Sequence, residues 1–192
     1  CLLGLSMCIA FAFAVIARRR VTALRLNIRG QSSPPDPSLA KGRRFHLFLS
    51  HRWATGQDQM AVLKRQLQLV LPGSSVFLDV DDLRHIGDLE RYIDESQVIL
   101  IFLSRGYFKS RNCLREVAAA VAANKPVVLV READFAKGGT TYEEARLECP
   151  PQYRSFVFDG REPITWHRTY DFQRLSVKLI ATHLLAGCPN YR

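Results

Sequence analysis

From residue 43 onward, short apolar runs alternate with segments in which apolar residues recur at helical spacing. The apolar runs predict five strands, at residues 45–50, 75–80, 98–104, 126–131 and 155–160. The segments between and after them predict helices at residues 59–71, 87–96, 112–125 and 172–186. The third run, VILIFLS, is apolar throughout, as is typical of a strand buried on both faces of a sheet. Strands that alternate with helices predict an α/β fold with a parallel sheet covered on both faces.

The N-terminal segment has a different pattern. Residues 1–17 carry no charge and are followed at once by Arg18, Arg19 and Arg20. As a helix this segment would span about 25 Å, the short limit for crossing a bilayer core of about 30 Å. The first residue is cysteine rather than methionine, so we expect a transmembrane helix that begins upstream. A secretory signal would carry its charge before the apolar run, and a buried core helix is the remaining alternative.

A basic, proline-rich segment at residues 18–42 follows, and its GQSSPPDPSLAKG stretch predicts a juxtamembrane linker without helix or strand. The positive-inside tendency predicts that the chain from Arg18 onward lies in the cytoplasm. Residues 18–44 account for +7 of the net charge of +9, so the remainder is nearly neutral. A nucleic-acid-binding domain would spread basic charge over a folded face, which argues against DNA or RNA as a partner.

The cysteines and histidines show no pattern of a covalent framework or a metal site. The five cysteines are odd in number and include no Cys-x-x-Cys pair. The five histidines lack metal-ligand spacing. We therefore expect no disulfide framework and no metal, which fits a reducing cytosol.

In parallel α/β sheets the functional site lies beyond the carboxyl ends of the strands. The polar and aromatic residues that follow the predicted strands are Ser50, His51, Arg52, Trp53, Asp79, Asp81, Asp82, Ser104, Arg105, Tyr107, Glu116, Arg131 and Glu132. Neither a G-x-G-x-x-G nor a G-x-x-x-x-G-K-[ST] motif is present, and a nucleophile elbow is absent as well. A phosphate-accepting receiver would need acids where this chain has Ser50-His51 and Ser104.

Three motifs, FLSHR, VFLDVDDL and IFLSRGYFKSRNCLRE, occur in an order and spacing that resemble a TIR (Toll/interleukin-1 receptor) domain. The resemblance covers residues 43–187 and leaves residues 188–192 as a C-terminal tail. It implies a flavodoxin-like, three-layer fold with five parallel strands. It also implies signalling by TIR–TIR association, with the loop after the second strand as a common contact. In this chain that loop is residues 81–88 and includes Asp81, Asp82, Leu83 and Gly87.

Some proteins of this family cleave NAD+, and the resemblance puts their catalytic glutamate at Glu116. Arg52, Trp53 and Ser104 are then the candidate residues for contacting NAD+, which would be a substrate rather than a cofactor. The usual Trp-x-x-x-Glu of these enzymes has Asn112 in place of its tryptophan here. Trp53, at the end of the first strand, is a candidate for the missing aromatic face.

Each candidate residue also has a structural interpretation. Glu116 is predicted in the first turn of the alanine-rich helix, where a carboxylate gains about 0.3–1 kcal/mol from the macrodipole. As a catalytic group it would instead stabilise an oxocarbenium-like ribose as nicotinamide leaves. Arg52 could bind a phosphate or pair with Asp79 or Asp82. Trp53 could be a packing residue or a ligand platform. Tyr107 most simply packs under the loop that follows the third strand. Asp79, Asp81 and Asp82 lack the spacing of a metal-binding loop and are more simply hydrogen-bonded loop residues.

Together, the sequence predicts a membrane-tethered cytoplasmic TIR domain that transmits a signal by association with itself or with other TIR proteins. The alternative is an NAD+ glycohydrolase, activated by the same association, that releases nicotinamide with Glu116 as its catalytic residue. Asn112 favours the first hypothesis, and Glu116 with Arg52 favours the second.

Overall fold

Five parallel strands form one sheet in the order β2-β1-β3-β4-β5 in the computed structural model, which describes residues 35–79 and 88–191. The strands are β1 (Phe45–His51), β2 (Val76–Phe77), β3 (Ser96–Leu103), β4 (Val127–Glu132) and β5 (Ile164–Trp166). Each pair of neighbours is parallel. The predicted α/β fold with a five-stranded parallel sheet is therefore confirmed. All eight residues of β3 are buried, as its continuous apolar run predicts.

Helices cover both faces of the sheet. They are α1 (Trp53–Val70), α2 (Leu89–Asp94), α3 (Arg111–Ala122), α4 (Tyr142–Glu148), α5 (Pro151–Phe158) and α6 (Tyr170–Ala186). One core cluster packs residues of α1 and α6, such as Leu63 and Ile180, against Leu49 of β1. The other packs residues of α2, α3 and α5, such as Val117 of α3, against Phe48. Successive residues of β1 thus face opposite layers, as the pleat of a strand requires.

The predicted fifth strand at residues 155–160 is wrong. That segment belongs to α5 and the turn after it, and the fifth strand is Ile164–Trp166. A short apolar run does not distinguish a strand from a buried helical turn, and Pro151 favours a helix because it occupies the first turn. The real β5 has only three residues, with Thr165 at its centre, so it leaves no apolar run in the sequence.

Among the helix boundaries that differ from the prediction, two affect the site. Helix α1 begins at Trp53 rather than at residue 59, although Gly56 and the polar residues around it weaken the helical pattern. A Cβ atom at Gly56 would lie 3.1 Å from the side chains of both His51 and Phe102, so the glycine lets α1 approach the sheet closely. Helix α3 begins at Arg111, where the Ser110 side chain caps it. Glu116 is therefore in the second turn, not the first.

Part of the predicted linker is attached to the domain. Residues 35–42 form no helix or strand, but the backbone NH of Ala40 donates to the side chain of Gln97 (2.7 Å). The Gln97 amide donates in turn to the carbonyl oxygens of Ser38 and Gly187. The backbone NH of Asn190 donates to the Ser38 hydroxyl. The end of the linker and the start of the tail thus meet at the amino edge of the sheet.

The predicted transmembrane helix at residues 1–17, most of the linker, and the loop residues Asp81, Asp82, Leu83 and Gly87 lie outside the described residues. Within the ranges that are described, none of the helices has both the length and the apolar character needed to cross a membrane.

We predict that Gln97→Ala lowers the free energy of unfolding by about 2 kcal/mol, because three backbone groups lose their buried or partly buried partner. Urea denaturation followed by circular dichroism measures this change. The matched control is Gln68→Ala on the exposed side of α1, which should stay within about 0.5 kcal/mol of wild type. Equal stability of the two variants would contradict a structural role for the attached segment.

Candidate functional site

A cavity of about 310 Å³ opens at the carboxyl edge of the sheet, between β1 and β3. The helix that follows β1 packs on one face of the sheet and the helix that follows β3 packs on the other. The cavity is lined by His51, Arg52, Trp53, Ala54, Asp79, Lys109, Ser110, Asn112 and Glu116. These residues come from the end of β1 and the start of α1, from the chain after β2, and from the start of α3. Because the strands are parallel, their carboxyl ends bring these separate segments to one place.

Three of the four candidate NAD+ residues line this cavity, namely Glu116, Arg52 and Trp53. Ser104 does not: it is buried, and its hydroxyl is 2.7 Å from that of Thr55, which lines a neighbouring cleft. Asn112, which replaces the family's usual tryptophan, is on the same cavity wall as Glu116 because both belong to α3.

Glu116 is almost completely buried, with 3% of its surface exposed. Its carboxylate accepts a hydrogen bond from the Ser50 hydroxyl, and the Ser50 oxygen is also hydrogen-bonded to the Tyr107 hydroxyl. Because the single Ser50 proton goes to Glu116, Tyr107 must donate to Ser50. Ser50 and Tyr107 are fully buried. The interpretation of Glu116 as a helix-end residue is therefore wrong, since the carboxylate is tied to β1 rather than to the first turn of α3.

The pKa of Glu116 is raised from 4.5 to about 8, mainly by burial; the Ser50 hydrogen bond opposes this shift and the nearby charge of Asp79 contributes to it. The isolated domain thus holds Glu116 mainly in its neutral form at pH 7. A carboxyl group with such a pKa in a cavity wall is typical of a functional site, because burial without function would favour an apolar residue.

Asp79 fixes the aromatic wall of the cavity. Its carboxylate accepts a hydrogen bond from the indole NH of Trp53 and lies 3.8 Å from Nε2 of His51. Trp53 is the first residue of α1 and is 59% exposed, so an open ring face is held in place by a partly buried acid. An exposed tryptophan that is fixed in this way is better suited to binding than to packing.

Arg52 donates to the carbonyl oxygen of Arg105 at 2.8 Å. Gly106 makes this contact feasible, because a Cβ atom there would lie 2.8 Å from the Arg52 guanidinium. The guanidinium is thus held across the loop after β3, and its remaining donors are in a position to meet an anion at the cavity.

From the sequence, Ser50 had no assigned role, Asp79 was only a possible partner of Arg52, and Tyr107 had a packing role only. A signal for Ser50 was present: it follows Phe48 at a spacing of two, so it faces the same layer as α3. A hydroxyl at a buried strand position needs a partner, and Glu116 on α3 is that partner. Across the described ranges, no cluster of three or more His, Cys, Asp or Glu residues could hold a metal ion.

We predict that Ser50→Ala raises the pKa of Glu116 above its wild-type value of about 8, because the hydrogen bond that favours the carboxylate is lost. An NMR titration of the Glu116 carboxyl carbon measures this midpoint directly. Tyr107→Phe is the matched control, since it also removes one hydroxyl but leaves the bond between Ser50 and Glu116 in place. A midpoint that moves equally in both variants, or in neither, would contradict this role of Ser50.

Comparisons with known proteins agree with this architecture. Residues 47–164, more than half of the chain, match the family model described as TIR domain. A metazoan TIR-STING receptor from C. gigas, solved in complex with 2',3'-cGAMP, has a similar fold at a TM-score of 0.55 and 14% sequence identity. The match covers 78% of this chain and 42% of the receptor chain, so this chain spans less than half of that protein. No curated protein matches the sequence. On its motifs, its strand order and the family match, the chain belongs to the TIR domain family.

Proposed function

We propose that this TIR domain is an NAD+ glycohydrolase, activated by self-association, in which Glu116 is the catalytic group. The observation that carries the proposal is the buried carboxyl of Glu116, which lines a cavity together with Arg52 and Trp53. TIR domains act in signalling or in NAD+ cleavage, and an adaptor without chemistry has no need of a buried acid beside a cavity. Burying a carboxyl group costs free energy, and stabilisation of a bound cation is a functional reason for a protein to bear that cost.

The reaction needs little from the protein. The bond between C1' of the ribose and N1 of the nicotinamide breaks, and its electron pair leaves with neutral nicotinamide. The ribose becomes an oxocarbenium ion, which the Glu116 carboxylate stabilises. Water then adds to C1' and loses a proton, so the products are nicotinamide, ADP-ribose and H⁺.

Glu116 must be ionised for this role, and its pKa of about 8 makes the rate depend on pH. For the free enzyme, kcat/KM should rise with pH through about 8. The positive charge of the nicotinamide ring favours the carboxylate, so kcat should reach its plateau at a lower pH than kcat/KM does. Binding of the cationic substrate thus favours the ionised form of Glu116, which is the form that the reaction needs.

Trp53 and Arg52 would bind the rest of this half of the substrate. The exposed indole ring lines the same cavity as Asn112 and could supply the aromatic face that the family usually takes from position 112. A cationic ring over the face of a tryptophan gains about 0.5–2 kcal/mol. Arg52, beside it, is suited to the phosphate next to the ribose.

We predict that Glu116→Gln slows nicotinamide release from NAD+ by about 10²–10³, the usual cost of removing one well-placed electrostatic group. Both proteins are assayed on a vesicle surface at several densities, because rates per molecule should increase with density if association activates the enzyme. Glu162→Gln, in the exposed segment before β5, is the matched control and should keep wild-type activity. Activity that persists in Glu116→Gln, or its complete absence from dense wild type, would refute the proposal.

The same variant should not be less stable than wild type. The pKa of Glu116 is higher in the folded state (about 8) than in the unfolded state, so its contribution to stability is complete below about pH 4.5 and is lost as pH rises to about 8. A neutral glutamine is free of this loss. The melting temperature of Glu116→Gln, relative to that of wild type, should therefore increase as pH rises between these values. A variant that is at least as stable as wild type has not lost its activity through misfolding.

Self-association as a signalling step in its own right is the second candidate function. The observation that favours it is a set of three exposed apolar side chains at helical spacing on one face of α6, namely Phe172, Leu175 and Leu179. Exposed apolar patches of this kind are typical of protein interfaces. The loop at residues 81–88 remains the other predicted contact, as proposed from the family resemblance.

We also propose that residues 1–17 anchor the domain to a membrane, from their uncharged run and the arginines after it. The full chain should pellet with membranes, whereas a chain that begins at Pro35, and so keeps the attached segment, should stay in the supernatant. Replacing both Phe11 and Phe13 with lysine is the control, because two charges in the apolar run oppose insertion and leave the basic linker intact. If this double variant still pellets, the basic linker rather than a transmembrane helix would hold the chain.

A further inference from the structure

A second concave site lies directly beside the Glu116 cavity. This cleft has a volume of about 620 Å³, and the first two residues of α1, Trp53 and Ala54, line both sites. Ligand sites in proteins usually measure about 300–1,000 Å³, so the Glu116 cavity alone is at the small end of the range. Trp53 therefore lies at the junction of the Glu116 cavity and the larger neighbouring cleft.

The lining of the cleft has the chemistry of a site for an aromatic anion. Trp53 and Phe135 expose 59% and 52% of their surfaces, and each offers a ring to a stacking partner. Arg105 and Lys137 supply exposed positive charge. Asp58 also lines the cleft and can accept a hydrogen bond from an exocyclic amino group.

The cations of the cleft are not equivalent. Arg168 is ion-paired with the buried carboxylate of Glu132 (2.7 Å) and lies 3.7 Å from Asp134, so its charge is largely compensated. Arg105 donates one hydrogen bond to the carbonyl oxygen of Phe135 (3.1 Å), which orients its guanidinium, and its charge has only a minor influence on the exposed carboxylate of Glu144. Positive charge for an anion thus comes from Arg105 and Lys137.

We infer that this cleft binds an adenylate group, with the base against the exposed aromatic rings and the phosphate towards Arg105 and Lys137. This inference rests in part on the proposed function, because NAD+ consists of a nicotinamide nucleotide and an adenylate joined through their phosphates. The two sites share the start of α1, where Arg52 on the cavity side and Arg105 on the cleft side flank the junction. A dinucleotide that spans both sites would place its two phosphates at this junction, where both arginines can reach them.

Binding can be measured without any catalysis. Trp53 and Trp166 are the two tryptophans of the chain, and both line the cleft, so intrinsic fluorescence reports on it. Titration of the full chain with AMP should change this fluorescence to saturation. Phe135→Ala and Lys137→Glu should each raise the Kd for AMP at least about fivefold, because one removes a stacking ring and the other reverses a charge near the phosphate. Lys41→Glu, at the opposite edge of the sheet, is the matched control and should bind like wild type.

A second measurement asks whether this adenylate belongs to the substrate. AMP should compete with NAD+, raising its KM without changing kcat. Wild type should have a higher kcat/KM for NAD+ than for nicotinamide mononucleotide, which lacks the adenylate, and Phe135→Ala should reduce that ratio at least about fivefold. AMP that binds without raising the KM for NAD+, or a ratio near one in wild type, would overturn the assignment to the substrate.

The outcomes separate the two proposals. If wild type releases no nicotinamide from either compound, the proposed function fails, and the AMP titration still decides whether the cleft binds an adenylate. If AMP leaves the fluorescence unchanged, or binds equally to wild type, Phe135→Ala and Lys137→Glu, the inference about the cleft is overturned whatever the activity. Both surface variants have exposed side chains, so circular dichroism should confirm that their folds match wild type.

Discussion

The hydrogen bond between Ser50 and Glu116 is the interaction on which the site depends. It joins the end of β1 to the second turn of α3, and Tyr107 completes it from the loop between β3 and α3. All three side chains are buried, so an unpaired hydroxyl or carboxyl here would cost more than the bond itself gains. Together with the burial of Cys113, Val117 and Ala120, this constraint sets the rotation of α3 about its axis and so the side of the helix that faces the cavity.

The two edges of the sheet have separate roles. At the amino edge, the attached linker, the tail and Lys125 satisfy backbone groups, and Lys125 donates to the carbonyl oxygens of Asp94 and Ser96 at 2.6 Å each. Burial lowers the pKa of Lys125 to about 8, yet both bonds go to backbone oxygens, which is the pattern of a structural lysine. At the carboxyl edge the perturbed group is an acid in a cavity wall. A shifted pKa therefore points to function only where a cavity accompanies it.

The sequence predicted the sheet more reliably than the site. The buried runs that became β1, β3 and β4 are long enough for their pattern to identify them, whereas β5 has three residues and no apolar run. For the site, family motifs indicated Glu116 and Arg52, the position after the first strand indicated Trp53, and these three do line one cavity. The sequence could not show that Ser50 bonds to Glu116, because that contact depends on how α3 packs on β1. The sequence also could not show that Ser104 lies outside the cavity. It shows that a residue follows a strand, but not where along the carboxyl edge of the sheet its side chain lies.

A link between association and chemistry would pass through Asp79. Its charge raises the pKa of Glu116, and its carboxylate holds the indole of Trp53, so one side chain influences both the acid and the aromatic wall. Residues 80–87 follow Asp79 directly in the sequence and form most of the predicted contact loop. If a partner at that loop displaced Asp79, the pKa of Glu116 would fall and the ring of Trp53 would be released from its hydrogen bond. Under the proposed function, the cationic substrate and such a partner would both act by favouring the ionised form of Glu116.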